Sequence, residues 1–264
     1  MLAHTFCHLP RVSLSKEQAL WDQGVHSWSD YRALVKDPRA LDASQSYLES
    51  REPGYFAATM KSDQHWRLFG DFRDDVAYVD IETTGLRKGV DRITTIALYD
   101  GVEVRNYVNG RNLEQFCADI QAYKLLVTFN GKCFDVPFIE DFFATKLPQA
   151  HIDLRYVLRR LDYTGGLKRI EQMIGIDRGD LADVDGFFAV TLWHEYERRQ
   201  NAAALETLLA YNCADVINLE LLMVHAYNLN VRRTPFGSSR ELPPPPPRAI
   251  PFQVDRRLVE RLAW

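Results

Sequence analysis

The sequence predicts an α/β fold in which a mixed five-stranded sheet is flanked by helices. The first observation is a run of three segments with strand composition, residues 76–81, 92–99 and 102–108. The second is that two further short strand segments, residues 125–129 and 152–154, alternate with helical segments. Three strands, helix, strand, helix, strand and then helices is the order of an α/β sandwich.

The chain before the sheet, residues 1–70, is predicted to be an accessory helical region packed on the α/β domain. Two short helices lie on either side of Gly24. Their N-caps are predicted at Ser15 and at Ser27 or Ser29, because a serine hydroxyl accepts a hydrogen bond from the first turn of a helix.

The first three strands are predicted to form an antiparallel meander. Residues 76–81 read VAYVDI, and residues 92–99 are rich in β-branched side chains. The Asp100–Gly101 pair that comes next is a strong hairpin signal and leads into residues 102–108.

Helices separate the last two strands. Residues 113–123 are predicted to form a helix capped by Asn112, and residues 136–145 a helix that starts near Pro137. The short apolar segment 125–129 is a buried strand, and residues 152–154 form the fifth.

The remainder of the chain is predicted to be helical and then extended. Residues 155–228 read as helices broken at glycines, so residues 75–228 make one α/β domain. The last region, residues 231–264, contains the run Pro243–Pro247, which excludes helix and central strand. We expect an extended or disordered tail that serves as a spacer; the alternative is a ligand for a proline-binding protein partner.

Composition excludes several classes of protein. The four cysteines are scattered without a CxxC pair, which argues against a disulfide framework and a zinc ribbon. We find no secretory signal and no apolar run near the ~20 residues that span a bilayer, and we expect a cytoplasmic protein without membrane contact. The net charge of −4 is unusual for a nucleic-acid binder, but cations bound at an acidic centre would supply positive charge where a phosphate lies.

The first chemical signal is the pair Asp80 and Glu82 at the end of an apolar strand. Residues two apart in a strand point to one face, so the two carboxylates lie side by side. Their repulsion raises both pKa values, and divalent cations with oxygen ligands offset that cost. A strand that simply ends in solvent with acidic residues is the alternative at this point.

Two further signals come later in the chain. The segment 130–135, NGKCFD, lies directly after a buried strand and ends in Asp135, which would otherwise be an N-cap. Tyr211 and Asp215 are four residues apart in a helical segment and therefore share a face. Taken alone, the second pair is also compatible with an ordinary amphipathic helix.

Together, the three segments resemble the three exonuclease motifs of the DnaQ-like, or DEDD, superfamily. Tyr211 four positions before Asp215 is typical of its DEDDy branch. The chain resembles most the YprB-like ribonuclease-H-like domains, through LWDQGVHSW, NGKCFDVPFI and GGLKRIEQMIGI. The superfamily resemblance covers about residues 75–228. It implies a ribonuclease-H-like sheet and a 3′→5′ exonuclease.

The resemblance also implies residue roles. Asp80, Glu82, Asp135 and Asp215 would hold two divalent cations, Mg²⁺ or Mn²⁺, and Tyr211 would position the attacking water. The substrate would be nucleic acid, degraded from a single-stranded 3′ end.

Other residues are candidates for binding the substrate, namely Thr83, Asn130, Phe134, Lys168 and Arg169. Arg155, Arg159 and Arg160 on one helix either meet phosphates or form a solvated basic face, and the sequence favours the second.

Two other functions stay open from the sequence. One is a retired nuclease core that serves as a nucleic-acid-binding or scaffold module, although none of the four acids is missing. The other is an endonuclease that uses the same acidic cluster. DNA and RNA cannot be distinguished by these residues.

Overall fold

A computed structural model describes residues 1–262, without the side chain of Ser238; the last two positions of the predicted tail lie outside the described residues. The strands are β1 (Val76–Thr83), β2 (Ile93–Tyr99), β3 (Val104–Val108), β4 (Leu125–Thr128) and β5 (Ala150–Asp153). The helices are α1 (Leu14–Asp22), α2 (Trp28–Arg32), α3 (Arg39–Glu49), α4 (Pro53–Thr59), α5 (Trp66–Phe72), α6 (Phe116–Asp119), α7 (Asp135–Phe142), α8 (Leu154–Arg159), α9 (Leu167–Ile174), α10 (Gly186–Arg199), α11 (Ala202–Arg232), α12 (Gly237–Arg240) and α13 (Arg256–Leu262).

The strands form one mixed sheet in the order β3-β2-β1-β4-β5. β1 and β2, and β2 and β3, pair antiparallel, which confirms the predicted meander. β4 pairs parallel with β1 and with β5. The predicted α/β class with five strands is confirmed.

The sheet is covered on both faces, which explains why β1 and β2 are apolar almost throughout. Along β1, Val76 and Tyr78 point into the core that contains α11 and the N-terminal helices. Ala77, Val79 and Ile81 alternate with them and pack into a second core with residues of α6 and α7. This alternation is the period of two that a strand imposes on its side chains.

The N-terminal helices share the first of these cores. Phe56 and Phe69 are fully buried in the same cluster as Tyr78 of the sheet. Behind them, a buried ion pair joins Arg67 Nη2 to Glu17 Oε2 at 2.7 Å. A buried charge of this kind is tolerated only when paired and hydrogen-bonded, so it fixes how α1 packs on α5.

Of the three predicted N-caps, two change and one is confirmed. The N-cap of α1 is Ser13, whose side chain accepts from the Lys16 N–H, because the helix starts before the predicted Ser15. Ser27 caps α2 with a capping box, as one of the two predicted options. The Asn112 side chain accepts from the Val108 N–H at 2.8 Å and makes no side-chain cap of the turn after it.

The tail is extended through its prolines but does not stay extended or disordered to its end. Arg248 donates to the Tyr99 hydroxyl at 3.1 Å. Beyond it, α13 places Leu258 and Val259 in a buried cluster with residues of α10 and α11. The apolar pair comes after Asp255, whose side chain accepts from the Leu258 N–H at 3.0 Å, so a short capped helix forms.

Helix α11 is the longest element and runs through the core. By length and composition it could cross a membrane, but 94% of the residues in its apolar window are buried inside the protein. The sequence predicts helix here but shows no uninterrupted apolar run, because charged residues such as Glu206 and Asp215 lie within it.

Candidate functional site

The end of β1 carries the first two carboxylates of the site. β1 runs past β4, whose pairing with it stops at Tyr78. The Ile81 N–H, which thus lacks a strand partner on that side, donates to Asp135 Oδ1 at 3.3 Å. Asp80 and Glu82 flank Ile81 and project from the opposite face, as the strand period requires. Asp135, at the start of α7, is thereby fixed beside the end of the strand.

Helix α11 brings the remaining acid to the same place. One ligand oxygen each of Asp80, Glu82 and Asp215 lies within 4.8 Å of the other two. Asp135 is outside this group of three, but it lines the same cavity of about 450 Å³ together with them and Tyr211. The five residues predicted from the three motifs therefore converge.

Burial shapes the electrostatics of the acids. Desolvation, with repulsion from neighbouring carboxylates, raises the pKa values of Asp80 and Glu82 well above their usual range. Burial also raises the pKa of Asp135 to about 7 and that of Asp215 to about 6. An Asn212 amide donates to Asp80 Oδ2 at 2.7 Å and holds that carboxylate in place. Without a cation, burial and mutual repulsion therefore favour the protonated form of these carboxyls.

An arginine that the sequence did not single out lies inside the cluster. Arg178 Nη2 contacts Asp215 Oδ1 at 2.5 Å, and the same guanidinium pairs with Glu171. The side chains of all three are at most 5% exposed. Nothing in the sequence around residue 178 distinguishes this arginine from a solvated loop residue, because its partners come from α9 and α11.

Two cations lie close to the ring of Tyr211. Arg178 Cζ is 5.6 Å from the ring centroid, and Lys168 Nζ is 5.8 Å from it. Burial raises the pKa of Tyr211, and the nearby carboxylates of Asp215 and Glu82 raise it further. The hydroxyl therefore keeps its proton at neutral pH and can donate or accept a hydrogen bond.

The predicted substrate-contacting residues divide into two groups. Thr83, Asn130 and Phe134 line the acidic cavity. Lys168 is next to Tyr211 but its ammonium donates to the Ala182 carbonyl at 3.1 Å. Arg169 is exposed and its side chain lies against Gly165, away from the lining of the acidic cavity.

A buried carboxylate holds the loop between β4 and α7. Asp153 Oδ1 accepts from the Asn130 N–H at 2.8 Å, and Oδ2 accepts from the Lys132 N–H at 3.0 Å. At Gly131, an added Cβ would stand 2.3 Å from the Thr128 hydroxyl oxygen. A residue with a side chain would clash with Thr128 at this position. Asn130 and Asp135 are therefore placed by a rigid loop.

The mouth of the cavity has apolar walls that the sequence pattern did not reveal. Leu86 and Phe187 line it although their side chains are 80% and 83% exposed. Large exposed apolar side chains beside a polar site are suited to the faces of a base or sugar. Their segments, a turn and a helix start, showed no pattern that distinguishes such residues from surface side chains.

The donor set fits divalent cations with oxygen ligands. Arg178 offsets the charge of Asp215 and Glu171, whereas Asp80 has only the neutral Asn212 amide as a side-chain hydrogen-bond partner among the described residues. Close, buried carboxylates without thiol or imidazole donors favour Mg²⁺ or Mn²⁺ over softer metals. Asp80, Glu82 and Asp215 would be direct ligands.

Comparison with known proteins agrees with this fold. A model of the RNase H superfamily matches residues 77–227. The uncharacterized protein YprB of Bacillus subtilis is 28% identical in an alignment of 183 positions that covers 58% of this chain and 42% of that protein. The chain thus spans less than half the length of this curated relative.

Two solved structures also match part of the chain. One described as the apo form of a nuclease is 22% identical, with a TM-score of 0.43, and covers 61% of this chain and 75% of that chain. NrnC of Brucella melitensis bound to pGG is 18% identical, with a TM-score of 0.32, over 61% of this chain and 87% of that chain.

The predicted resemblance to YprB-like ribonuclease-H-like domains is confirmed by the family match and by the identity with YprB. The DEDDy subtype stays a prediction. The chain belongs to the RNase H superfamily.

Proposed function

We propose that the protein is a metal-dependent 3′→5′ exonuclease that hydrolyses phosphodiester bonds of DNA or RNA by a two-metal-ion mechanism. The observation that carries this proposal is the convergence of Asp80, Glu82, Asp135, Asp215 and Tyr211 on one cavity. The order of these residues in the chain and the tyrosine four positions before the last aspartate support the 3′→5′ direction.

In this reaction, the oxygen of a water forms a bond to phosphorus and the water gives up a proton to solvent. The bond from phosphorus to the 3′ oxygen of the preceding nucleotide breaks, and that oxygen takes up a proton. When bound, divalent cations lower the pKa of the attacking water and stabilise charge on the departing oxygen. Asp80, Glu82, Asp135 and Asp215 would hold them. No step requires a covalent intermediate with the protein.

The chain's own side chains supply orientation. The Tyr211 hydroxyl, protonated at neutral pH, would hold the attacking water by a hydrogen bond rather than remove its proton. Asn212 keeps Asp80 in its position through the bond at 2.7 Å. Phe134, Leu86 and Phe187, which line the cavity, would hold the terminal base and sugar.

The test is a panel of single-stranded DNA, single-stranded RNA and duplex substrates, labelled at the 5′ end, with Mg²⁺ or Mn²⁺. We expect a ladder shortened from the 3′ end, abolished in Asp80→Ala. Circular dichroism of the variant serves as the control for folding. Cleavage close to wild type in Asp80→Ala would exclude the proposed metal role.

Two outcomes would favour the alternatives. Cutting of circular single strands would indicate an endonuclease, since an exonuclease leaves circles intact. Calorimetry that detects no Mn²⁺ binding at millimolar concentration would favour a scaffold module without catalysis.

A further inference from the structure

A second cavity, of about 610 Å³, adjoins the acidic one. It lies between α8 and the loop before α9, and its lining includes Arg155, Arg159 and Tyr163. The two cavities share Phe129 and Asn130 at the end of β4. A ligand that leaves the acidic cavity past these two residues enters the second.

The second cavity is basic where the first is acidic. Arg155 and Arg159 are four residues apart on α8 and share a face. Within the described part of the chain, no aspartate or glutamate is among the residues that line the cavity. Arg160, the next residue, turns to Asp63 at 3.0 Å instead. The three arginines were predicted to lie together on one basic face. In the structure, Arg155 and Arg159 line the cavity, whereas Arg160 forms a surface ion pair.

The combination of arginines with an aromatic ring suits a nucleotide. The Arg155 guanidinium donates to the Asn130 side chain, so the arginine is held at the junction of the two cavities. The Tyr163 hydroxyl is hydrogen-bonded to His225 at 3.1 Å, which fixes the ring. Guanidinium groups recognise phosphates, and aromatic rings stack on bases whatever the sequence.

We propose that this second cavity binds the sugar–phosphate backbone of a single strand, on the 5′ side of the nucleotide held at the acidic cavity. The proposal deepens the proposed function and rests on it for the orientation of the strand. An unpaired nucleotide can reach a recess of this kind and stack on Phe129 or Tyr163, whereas a duplex keeps its bases paired and stacked. Substrates longer than the terminal dinucleotide gain contacts with Arg155 and Arg159.

The experiment measures binding separately from hydrolysis. All proteins comprise residues 1–264 and carry Asp80→Ala, and the probe is a short single-stranded DNA oligonucleotide labelled with fluorescein at its 5′ end. Fluorescence anisotropy gives the affinity over a series of salt concentrations. Arg155→Gln/Arg159→Gln is compared with Arg160→Gln/Arg198→Gln, which removes the same charge from exposed positions outside the cavity.

We expect the cavity pair to lose roughly tenfold or more in affinity, since each arginine would lose a charge-assisted contact with a phosphate. The slope of log K against log salt should fall by about 1.4, because each neutralised phosphate of a single strand contributes about 0.7. The control pair should stay within about twofold of its parent in the same assay. Labelled duplex should bind more weakly than single strand and be insensitive to the cavity pair.

Equal losses for the two pairs, or an unchanged salt slope in the cavity pair, would overturn the proposal. If Arg155→Gln/Arg159→Gln proves unfolded by circular dichroism, Arg159→Glu alone tests the same site, and retained affinity there also overturns it. A wild-type protein that fails to cleave any substrate refutes the nuclease, whereas the anisotropy measurements decide on the cavity independently.

Discussion

Arg178 gives the most direct test of the electrostatics of the site. It pairs with Asp215 and Glu171, and all three side chains are almost inaccessible to water. Arg178→Met removes the charge and keeps an unbranched side chain. It leaves two buried carboxylates without their cation, which typically costs about 3–5 kcal/mol.

The loss should appear in the melting temperature. For a chain of this size, about 1 kcal/mol corresponds to roughly 2–4 °C, so we expect Tm to fall by roughly 6–20 °C. Arg199→Met is the matched control. Arg199 is 69% exposed and its partner Glu195 keeps Arg261, so the change should cost less than about 1 kcal/mol.

The effect should depend on pH with a defined sign. Burial already raises the folded-state pKa of Asp215 to about 6, and loss of Arg178 raises that pKa further. A group whose pKa is raised on folding stabilises the protein below its unfolded-state pKa and loses that contribution as pH rises through the folded-state value. The Tm difference between variant and wild type should therefore widen from about pH 5 to about pH 8.

Divalent cation supplies the missing charge. Mn²⁺ should raise the Tm of Arg178→Met more than that of the wild type at about pH 8, because a ligand that binds only the folded state stabilises it. Thermal denaturation with and without Mn²⁺ measures all of these effects. A loss below about 1 kcal/mol, or the same loss at both pH values, would refute the reasoning.

Three further predictions concern the acids, the tyrosine and the loop. Burial raises the pKa of Asp135 to about 7 and that of Asp215 to about 6, so the affinity for Mn²⁺ should increase as pH rises through this range and protons should be released on binding. Calorimetry in buffers of different ionisation enthalpy measures the affinity and the number of protons released. An affinity that does not change with pH would contradict the prediction. Tyr211→Phe should lower kcat by roughly 10²-fold while leaving Mn²⁺ affinity near wild type, as expected for a group that orients the water; an unchanged kcat in single-turnover assays would remove that role. Gly131→Ala should destabilise the protein by about 1–3 kcal/mol in urea denaturation, since the added Cβ would stand 2.3 Å from a neighbouring hydroxyl, whereas Gly54→Ala meets nothing within 4 Å and should not.

Features with a local signature were predictable from the sequence. The face shared by Asp80 and Glu82 results from strand alternation, and that shared by Tyr211 and Asp215 from helical periodicity. The antiparallel pairing of β2 with β3 was indicated by the hairpin signal at Asp100–Gly101, and that of β1 with β2 by three consecutive strand segments. These predictions needed only residues close together in the chain.

Apart from the convergence of the acids, which the family resemblance implied, features set by contacts between distant segments were not predictable. Arg178 meets Asp215, which lies 37 residues further along the chain, and no local pattern announces the pairing. The same holds for Arg155 and Arg159, whose cavity exists only once α8 packs beside the end of β4. The tail was misjudged because its prolines suggested disorder while Leu258 and Val259, further on, find a buried surface.

The N-terminal helices share one hydrophobic core with the sheet, and this determines which fragments of the chain can be expected to fold on their own. Recognisable family sequence starts at residue 77, but a fragment cut there would strip α5 from α11 and expose Tyr227, which packs against Trp66 and Phe69. Tyr227 lies on the same helix as Tyr211 and Asp215. We therefore expect substitutions in the first seventy residues to weaken the proposed activity without contacting the substrate, because they loosen the helix that carries Asp215.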